Sequence, residues 1–316
     1  MLKIVFGCLL LVMTSAAHAD TVASVRYFES DGKVEISTTG AATAQTPFAI
    51  ASVGKTMTAV AVLRLVARGQ LSLDEMAVNR ISPEIAAGLG GLSGVTLRHL
   101  LTMTSGLPDY LSDDYLYDAL DDPDDIQNPQ TALTYAYGEE ALFLPAKGFD
   151  YSNTNYVLLG IILETATGQS YADLMRSLVL GPAGMTRSFV FGSRRLPADF
   201  PSGHEDGDHI REYYEAEGFG DGGVISTAPD LALFYKALLV DRSLLPANLM
   251  REFGTDPLGA NYGMGIEIED EIWGHSGGDL GFASDVRMDI RSGDLAILLV
   301  ADADADTDWT YDRLLD

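Results

Sequence analysis

The sequence predicts an α/β (α+β) protein in which strands from both ends of the chain form one sheet around a helical insertion. Two observations predict this fold. Short β-rich segments stand near both termini, whereas the middle of the chain carries apolar residues at helical spacing. Strands at both ends around a helical middle indicate a single sheet built from both termini, because each sheet must bury a face against helices.

The N-terminal third supplies a hairpin and a helix. Thr21 to Phe28 and Lys33 to Thr38 are β-rich runs joined across E-S-D-G, a turn sequence typical of hairpins. A helix is predicted from Ser52 to Arg68, and Gly69 ends it. Its apolar residues recur at helical spacing: Val53, Met57, Val60, Leu63 and Val66.

The middle and the C-terminal third complete the pattern. Helical segments are predicted near Val95, Pro129 and Asn155, after Ser170, and from Ala228 to Val240. The β-rich segments that follow are Tyr262 to Ile268, Glu271 to His275, Phe282 to Ile290 and Leu295 to Ala301. We therefore expect an α/β part over about 20–75 and 215–316, with a helical subdomain over about 76–214. The end soon after Ala301 is expected to leave little room for a full closing helix.

The first 19 residues predict an exported protein. Lys3 precedes an apolar stretch from Ile4 to Met13, and small residues ending A-H-A stand before Asp20, as in a secretory signal peptide cleaved after Ala19. The mature chain, 20–316, is then expected in the periplasm or outside the cell. The apolar stretch is too short to span a bilayer, so no stable membrane insertion of the mature chain is expected. The single cysteine, Cys8, lies in the signal, which leaves no disulfide.

Composition is that of a globular chain with a strong acidic excess. The 316 residues are 47% hydrophobic, and 46 Asp and Glu stand against 20 Lys and Arg, a net charge of -26. This charge argues against nucleic acid and anionic lipid as partners. Acidic runs over Leu111 to Asp125 and Ala301 to Asp308 are interpreted as solvated surface, because neither has a calcium-loop frame. Salt tolerance would also explain the excess.

Two groups of histidines are weighed as metal ligands or structural residues. His204 and His209, in H-E-D-G-D-H, have ligand chemistry but stand in a Gly-rich acidic loop, so a solvated loop is favoured over a metal site. His99 stands beside Leu100 and Leu101 on a predicted helix, which favours a core or interface histidine. No metal is expected.

The stretch S-V-G-K-T allows two interpretations. A phosphate-binding loop needs a glycine at position 49, which is Ala49, so that reading is rejected. The alternative is S-x-x-K: Ser52 begins the helix and Lys55 lies one turn on, where its amine can reach the Ser52 hydroxyl. A serine at a helix start also has a free backbone N–H for an oxyanion. A capping serine and a surface lysine would be the structural explanation.

Two further stretches could complete such a site. In F-D-Y-S-N-T, Tyr151 and Asn153 are two residues apart, so both can face one cavity, although a capped turn is the alternative. In I-W-G-H-S-G-G, His275 ends a β-rich run, and Gly277 and Gly278 remove side chains from the strand edge, which marks close approach of a ligand or backbone. A hairpin loop with an incidental histidine is the alternative there.

Taken together, S-V-G-K, Y-S-N and H-S-G, in this order, resemble the three-motif signature of penicillin-recognising serine hydrolases. The chain is most similar to the branch of class C β-lactamases, D-alanyl-D-alanine carboxypeptidases and family VIII esterases, from about Phe48 to Ile290. The resemblance implies a β-lactamase/transpeptidase-like fold: an antiparallel sheet flanked by helices with an inserted all-helical subdomain, and the site in the cleft between. It implies no metal and no organic cofactor.

The resemblance also implies roles for five catalytic residues. Ser52 would be the nucleophile that forms the acyl-enzyme, and Lys55 would keep the proton network poised. Tyr151 would act as general base and acid. Asn153 would hold Lys55 and a substrate amide, and His275 would support Tyr151 electrostatically or by a hydrogen bond.

Substrate binding is assigned by the same resemblance to Ser276, Gly277 and Gly278, with the N–H groups of Ser52 and Gly278 forming the oxyanion hole. The substrate would be a small molecule or peptide with an ester, amide or β-lactam bond. Gly278 stands where relatives that cleave peptides or β-lactams usually carry a hydroxyl that grips a carboxylate, and 254–274 contains no arginine. These departures lean towards esters or amides with neutral ends.

Three functions remain open at this point. A D-alanyl-D-alanine carboxypeptidase or β-lactamase-like hydrolase ranks first as a class. The alternative is an esterase of the family VIII type that acts on short acyl esters. A non-catalytic peptidoglycan-binding or regulatory protein on the same scaffold comes third, because such a protein has no need for Ser52, Lys55 and Tyr151 together.

Overall fold

The computed structural model describes residues 22–90, 92–203 and 209–315, without the side chain of residue 209. The strands are β1 Ser24–Ser30, β2 Lys33–Thr39, β3 Phe48–Ala49, β4 Phe189–Val190, β5 Val224–Ser226, β6 Glu267–Glu269, β7 Ile272–Asp279, β8 Phe282–Asp289 and β9 Leu295–Val300. The expected signal peptide, 1–19, lies outside the described residues, so its cleavage stays a prediction.

Helices occupy most of the remaining chain. The α-helices are α1 Gly54–Ala67, α2 Pro83–Gly88, α3 Leu97–Leu101, α4 Asp113–Asp121, α5 Pro123–Ile126, α6 Pro129–Thr134, α7 Thr154–Thr167, α8 Tyr171–Met175, α9 Gly181–Ala183, α10 His209–Tyr213, α11 Ala228–Tyr235, α12 Ala247–Phe253 and α13 Trp309–Leu315. Short 3-10 turns cover Ala51–Val53 and Ala77–Arg80, and π turns cover Arg176–Leu180 and Lys236–Val240. Within the described residues, no helix is both long and apolar enough to cross a membrane.

The main sheet is built from both ends of the chain, as predicted. Its strand order is β2-β1-β9-β8-β7-β6, and every neighbouring pair is antiparallel. The N-terminal strand β1 pairs with β9, with Tyr27 opposite Ile297. The antiparallel sheet expected from the resemblance is therefore confirmed.

Part of the edge of this sheet has no neighbouring strand and borders the candidate site. Strand β6 pairs with only the first three residues of β7, where Glu267 lies opposite Gly274. Past that point β7 continues along β8 to the pair Asp279 and Phe282. The segment from His275 to Asp279 therefore has β8 on one side and no described strand on the other, which leaves its outer edge open to a ligand.

Two details of the C-terminal third differ from the sequence expectations. The predicted strand from Tyr262 to Ile268 is reduced to an isolated bridge between Tyr262 and Glu267, followed by the short β6. The chain also closes with a helix after all, because α13 (Trp309–Leu315) packs against β8 and β9. Seven residues suffice for this helix, fewer than the sequence pattern alone could identify.

Helices α1 and α7 are buried on nearly all sides. Most residues of each are inaccessible to solvent, which is typical of helices at the centre of a domain rather than of amphipathic surface helices. The glycine arm, defined here as Gly218–Gly223, runs against both helices. A Cβ on Gly220 would lie 2.1 Å from the Tyr156 carbonyl oxygen of α7, so only glycine allows this approach.

Thr58 of α1 fixes the glycine arm. Its Oγ1 donates to the Gly220 carbonyl at 2.6 Å and lies 2.7 Å from the Tyr171 hydroxyl, and the side chain is fully buried. Since α1 begins beside Ser52, this bond sets the position of the arm relative to that residue.

We expect Thr58→Val to lower the free energy of unfolding by about 1–3 kcal/mol, because the shape is kept while the Gly220 carbonyl loses its buried donor. Chemical denaturation measures this change. Thr134→Val is the matched control: the exposed Thr134, at the end of α6, donates its hydroxyl to the Thr131 carbonyl, and the loss should stay within about 0.5 kcal/mol. Equal losses in the two variants would contradict the assignment.

Candidate active site

Ser52 lies in a 3-10 turn at the start of α1, where the sequence places it. The residue before it, Ala51, has φ +45°, a left-handed conformation that is rare for a residue with a Cβ. Ala51 is buried, and its neighbour Ile50 donates its N–H to the Val224 carbonyl of β5 at 3.1 Å. The small sheet β3-β5-β4 therefore anchors the strained turn, and the part-exposed Ser52 side chain is presented to the cleft.

Lys55 is completely buried and bonded to three acceptors. Its Nζ donates to Ser52 Oγ at 2.9 Å, to Asn153 Oδ1 at 2.7 Å and to the Asp221 carbonyl oxygen at 2.6 Å. An ammonium has three N–H donors and no lone pair, so all its hydrogen-bonding capacity is used. The pair Ser52 and Lys55 predicted from S-x-x-K is thus in hydrogen-bond contact.

Asn153 links Lys55 to a buried carboxylate. Its backbone N–H and its Nδ2 donate to the two carboxylate oxygens of Asp109, each at 2.9 Å. This double contact fixes the amide with its oxygen towards Lys55. Burial raises the pKa of Asp109, while the bonds from Leu111 and Asn153 and the Lys55 charge act against that rise.

Asp221, in the glycine arm, accepts hydrogen bonds through both its backbone and its side chain. Its backbone carbonyl accepts from Lys55, and its carboxylate Oδ2 accepts from the Tyr110 hydroxyl at 2.7 Å. Burial raises the pKa of Asp221, partly opposed by the Lys55 charge and the Tyr110 bond.

Tyr151 stands at the mouth of the site. Its side chain is 36% exposed, and Lys55 Nζ lies 5.1 Å from the centre of its ring. Tyr262 packs edge-on against it with 5.9 Å between ring centres. Tyr151 and Ser52 line one pocket, so the structure brings the phenol and the serine together.

His275 is buried, and its ring centre lies 6.1 Å from that of Tyr151. Its Nδ1 lies 2.6 Å from the Ser276 carbonyl, which can only accept, so Nδ1 carries the proton. Nε2 then accepts from the Tyr262 hydroxyl at 3.1 Å. Burial lowers the pKa of His275 to about 4; the Glu267 carboxylate, 3.4 Å from Nδ1, acts against this shift, and the Lys55 charge adds to it. Support of Tyr151 by His275 stays a prediction, and the contact between the two residues is one between their rings.

Glu267 borders the same pocket as Ser52 and Tyr151 and holds neighbouring side chains in place. It accepts from the Ser276 hydroxyl at 2.9 Å and pairs with Arg287 at 2.6 Å. Burial would raise the pKa of Glu267, but His275, Arg287 and the Ser276 bond outweigh it and lower the pKa to about 2. Arg287 also pairs with Asp285 at 2.7 Å, so two carboxylates compensate its charge.

Gly277 and Gly278 are adjacent but differ in their surroundings. A Cβ on Gly277 would lie 2.6 Å from the Ile50 carbonyl oxygen and 3.1 Å from the Ser52 backbone nitrogen. A Cβ on Gly278 would meet nothing within 4 Å. Gly277 is therefore required for β7 to approach the Ser52 turn, whereas Gly278 faces open space.

Two pockets meet at Ser52 and Gly278. The Glu267 pocket is bordered by Tyr151, Glu267 and Ser276, and by Ala303, Ala305 and Thr307 of the acidic segment 301–308. The Asp279 pocket is bordered by Tyr110, Gln127, Tyr213, Phe219, Asp221 and Asp279. All eight site residues predicted from the sequence thus lie at or directly behind one cleft.

Several residues that organise this cleft were assigned no role from the sequence: Asp109, Asp221, Tyr262, Glu267 and Asp279. The carboxylates among them stand in a chain with 46 acidic residues and no distinctive spacing. The glycine-rich stretch around Asp221 was the one available clue, because clustered glycines indicate close backbone approach.

The remaining histidines lie elsewhere. His99 is half-buried and accepts from the Thr96 backbone N–H at 3.2 Å in a helix capping box, so it is structural there. His204 and the side chain of His209 lie outside the described residues. Elsewhere in the described ranges, no cluster of three or more His, Cys, Asp and Glu side chains is placed to hold a metal ion.

Comparison with known proteins places the chain among serine hydrolases. The family model described as Beta-lactamase matches residues 14–316. Penicillin-binding protein 4* of Bacillus subtilis (strain 168) is 30% identical over 320 aligned positions, covering 92% of this chain and 68% of that protein. Esterase EstB of Burkholderia gladioli is 32% identical over 261 positions, covering 72% of this chain and 65% of EstB.

Solved structures agree with this placement. A D-stereospecific amidohydrolase from Streptomyces sp. superposes with a TM-score of 0.78 at 26% identity, covering 89% of each chain. The family model extends over most of the chain, including every site residue described above. The chain therefore belongs to the beta-lactamase family.

Proposed function

We propose that the protein is a serine hydrolase that cleaves ester or amide bonds through an acyl-enzyme on Ser52, in substrates without a free carboxylate beside the scissile bond. One observation carries the catalytic part: Lys55 Nζ lies 2.9 Å from Ser52 Oγ, with its other two donors occupied by Asn153 and Asp221. This arrangement aims a buried positive charge at one hydroxyl.

Proton transfer in this proposal belongs to Tyr151. A protonated Lys55 that donates three bonds has no lone pair with which to accept the Ser52 proton, so it stabilises the developing alkoxide instead. Tyr151 borders the same pocket as Ser52 and acts in this step as a phenolate, which becomes a phenol by taking the Ser52 proton as Oγ attacks the carbonyl carbon. Tyr151 then returns that proton to the leaving group, and water releases the acyl group by the reverse sequence.

The oxyanion is held in this proposal by the N–H groups of Ser52 and Gly278. Their approach depends on Gly277, whose missing Cβ lets β7 lie against the Ser52 turn. Two backbone donors fixed by a strand and a helix start stabilise a tetrahedral intermediate without reorganisation. Asn153 is held rigidly by Asp109, so its amide can also orient a substrate carbonyl or amide group.

The charge of the Glu267 pocket favours substrates with neutral or positive ends. Glu267 borders it, and the Ser276 hydroxyl already donates to that carboxylate. The Arg287 charge is compensated by Glu267 and Asp285. Within the described lining, a substrate carboxylate thus meets no uncompensated cation. Esterase EstB and the D-stereospecific amidohydrolase are relatives whose names fit ester and amide substrates.

A D-alanyl-D-alanine carboxypeptidase or β-lactamase-like hydrolase is the second candidate. It ranks first on sequence motifs, and the 30% identity to a penicillin-binding protein supports it. The acyl-enzyme chemistry would be the same, and the acidic lining of the pocket is the observation that places it second. A non-catalytic binding protein is disfavoured by the Ser52 and Lys55 contact.

We also propose export, with residues 1–19 removed after Ala19. The basic, apolar and small-residue order of the N-terminus supports this proposal.

A fluorophosphonate probe should label the purified enzyme at Ser52, because the hydroxyl lies beside a buried ammonium and is part-exposed. Ser52→Ala should abolish labelling and reduce ester hydrolysis by about 10³-fold or more. Peptide mass spectrometry locates the adduct. Equal labelling of the wild type and Ser52→Ala would reject the acyl-enzyme on Ser52.

Substrate class can be ranked by kcat/KM on one panel. We expect p-nitrophenyl acetate and butyrate to exceed both nitrocefin and a D-Ala-D-Ala peptide by about 10²-fold or more, because each of the latter brings a carboxylate into the acidic pocket. Efficient release of D-alanine from the peptide would instead establish the second candidate.

The two glycines of β7 offer a matched pair of substitutions. Gly278→Ala should retain ester hydrolysis within about threefold, since its Cβ meets open space. Gly277→Ala should lower kcat by about 10²-fold or more. The added Cβ would displace the turn that carries the Ser52 N–H, which is one of the two donors to the oxyanion. Circular dichroism checks that both variants fold. Similar kcat values in the two variants would contradict the proposed oxyanion hole.

A further inference from the structure

The Asp279 pocket presents acceptors and no cation. It is bordered by the carboxylates of Asp221 and Asp279, and its described lining contains no lysine, arginine or histidine. Lys55 lies behind the lining with its three donors already occupied. Burial raises the pKa of Asp279 to about 6; the neighbouring Asp221 charge adds to the rise, while hydrogen bonds from Leu280 and Tyr214 and the Lys55 charge act against it. Two carboxylates in contact with one small space make a positively charged occupant favourable.

Gln127 provides an independent indication of a ligand. Its side chain is only 2% exposed and borders the same pocket, yet its Oε1 has no hydrogen-bond partner among the described residues. A buried amide oxygen without a donor is unfavourable unless a bound group supplies one. A group with several N–H donors would satisfy Gln127 and the carboxylates together.

The pocket also sets the size of its occupant. Its cavity volume is about 40 Å³, which admits only a group of a few heavy atoms. Tyr110, Tyr213 and Phe219 form part of its wall, and aromatic rings stabilise a neighbouring ammonium as well as a short apolar side chain. The fit is to a short acyl group with one cationic nitrogen.

The position of Tyr151 determines which half of the substrate lies in the Asp279 pocket. In the proposed mechanism Tyr151 protonates the leaving group, so the leaving group lies in the Glu267 pocket, which Tyr151 borders. The acyl half attached to Ser52 must then occupy the other pocket that meets Ser52, the Asp279 pocket.

We propose that the Asp279 pocket binds a protonated amine on the acyl half of the substrate, through Asp279, Asp221 and the amide oxygen of Gln127. The preferred substrates are then short aminoacyl esters or amides with a free amino group, rather than N-acylated or carboxylate-bearing compounds. This inference rests on the proposed serine hydrolase function and names its acyl specificity.

Two boronic acids that form adducts with a serine hydroxyl test this proposal. Because they carry no leaving group, they report on the acyl side alone. 1-Aminoethylboronic acid carries an ammonium where the near-isosteric isopropylboronic acid carries a methyl group. At pH 8, where Asp279 is ionised, the Ki of the amino compound for the better enantiomer should be at least about tenfold lower. Asp279→Asn should bring the ratio of the two Ki values close to one.

Two further variants sharpen the result. Asp279 also accepts from the Leu280 backbone N–H, so Gln127→Met, which leaves β7 intact, provides a second removal of an acceptor and should reduce the ratio about threefold. Asp113→Asn is the control: Asp113 is exposed at the start of α4 and does not border the pocket, so it removes the same charge and should keep the ratio.

Isopropylboronic acid binding as tightly as the amino compound would overturn the amine site and leave the serine hydrolase function standing. A ratio reduced equally by Asp113→Asn and Asp279→Asn would also overturn it, since the preference would then come from the overall charge. Failure of both boronic acids to inhibit would count against the acyl-enzyme on Ser52 and, with it, against this inference.

Discussion

The ammonium of Lys55 is the constraint on which the rest of the site depends. It is completely buried, and its three acceptors come from three separate segments. One is Ser52 at the start of α1. The others are Asn153, just before α7 and 98 residues away along the chain, and Asp221 in the glycine arm, 166 residues away. A buried donor left without its acceptor is unfavourable by about 1–3 kcal/mol, and by more when it carries a charge. The positions of these three segments are therefore coupled, and Ser52 is placed correctly only when all of them are. The absence of a Cβ at Gly220 and the Thr58 bond serve the same requirement, since they allow the glycine arm to come close enough.

The carboxylates of Asp109 and Asp221 do not bond directly to the Lys55 ammonium. Asp109 acts through the Asn153 amide, and Asp221 offers its backbone carbonyl while its carboxylate turns to Tyr110. No direct ion pair therefore competes with the bond from Lys55 to Ser52, and the lysine remains available to stabilise an alkoxide. The same arrangement leaves the Asp221 and Asp279 carboxylates beside the pocket without a cation in its described lining. Negative potential in the cleft is thus a consequence of how the lysine is held, and the net charge of -26 reinforces it over a longer range.

Local spacing could be predicted from the sequence, but long-range contacts could not. The i to i+3 relation of Ser52 and Lys55, the pair Tyr151 and Asn153, and the glycines after His275 were all identified, and the structure places them at one cleft. The sheet assembled from both termini was predicted as well, because β-rich segments are visible at each end. The lowered pKa of His275 was not, since it depends on burial, and neither was its bond to Tyr262, which the sequence assigned to a strand. Asp109 and Glu267 were missed because nothing in their neighbours distinguishes them from the many acidic surface residues, and the closing helix α13 was too short to identify.

Substrate choice in such a site is decided by electrostatics beside the serine more than by the reacting groups. Ser52, Lys55 and Tyr151 would perform the same acyl transfer on a peptide, a β-lactam or an ester, so they do not distinguish these substrates. Two like charges 4 Å apart near a protein surface repel by about 4 kcal/mol, which corresponds to roughly 10³-fold in kcat/KM. Asp279, beside Ser52, would apply a repulsion of this kind to a carboxylate in its pocket and an attraction to an ammonium, whereas the charge of Glu267 on the other side is partly compensated by Arg287. Gly278 adds no hydroxyl to offset it. In our proposal the acidic residues of the cleft would act as a filter on substrate charge, and a preference for amines would follow from the same charges that exclude carboxylates.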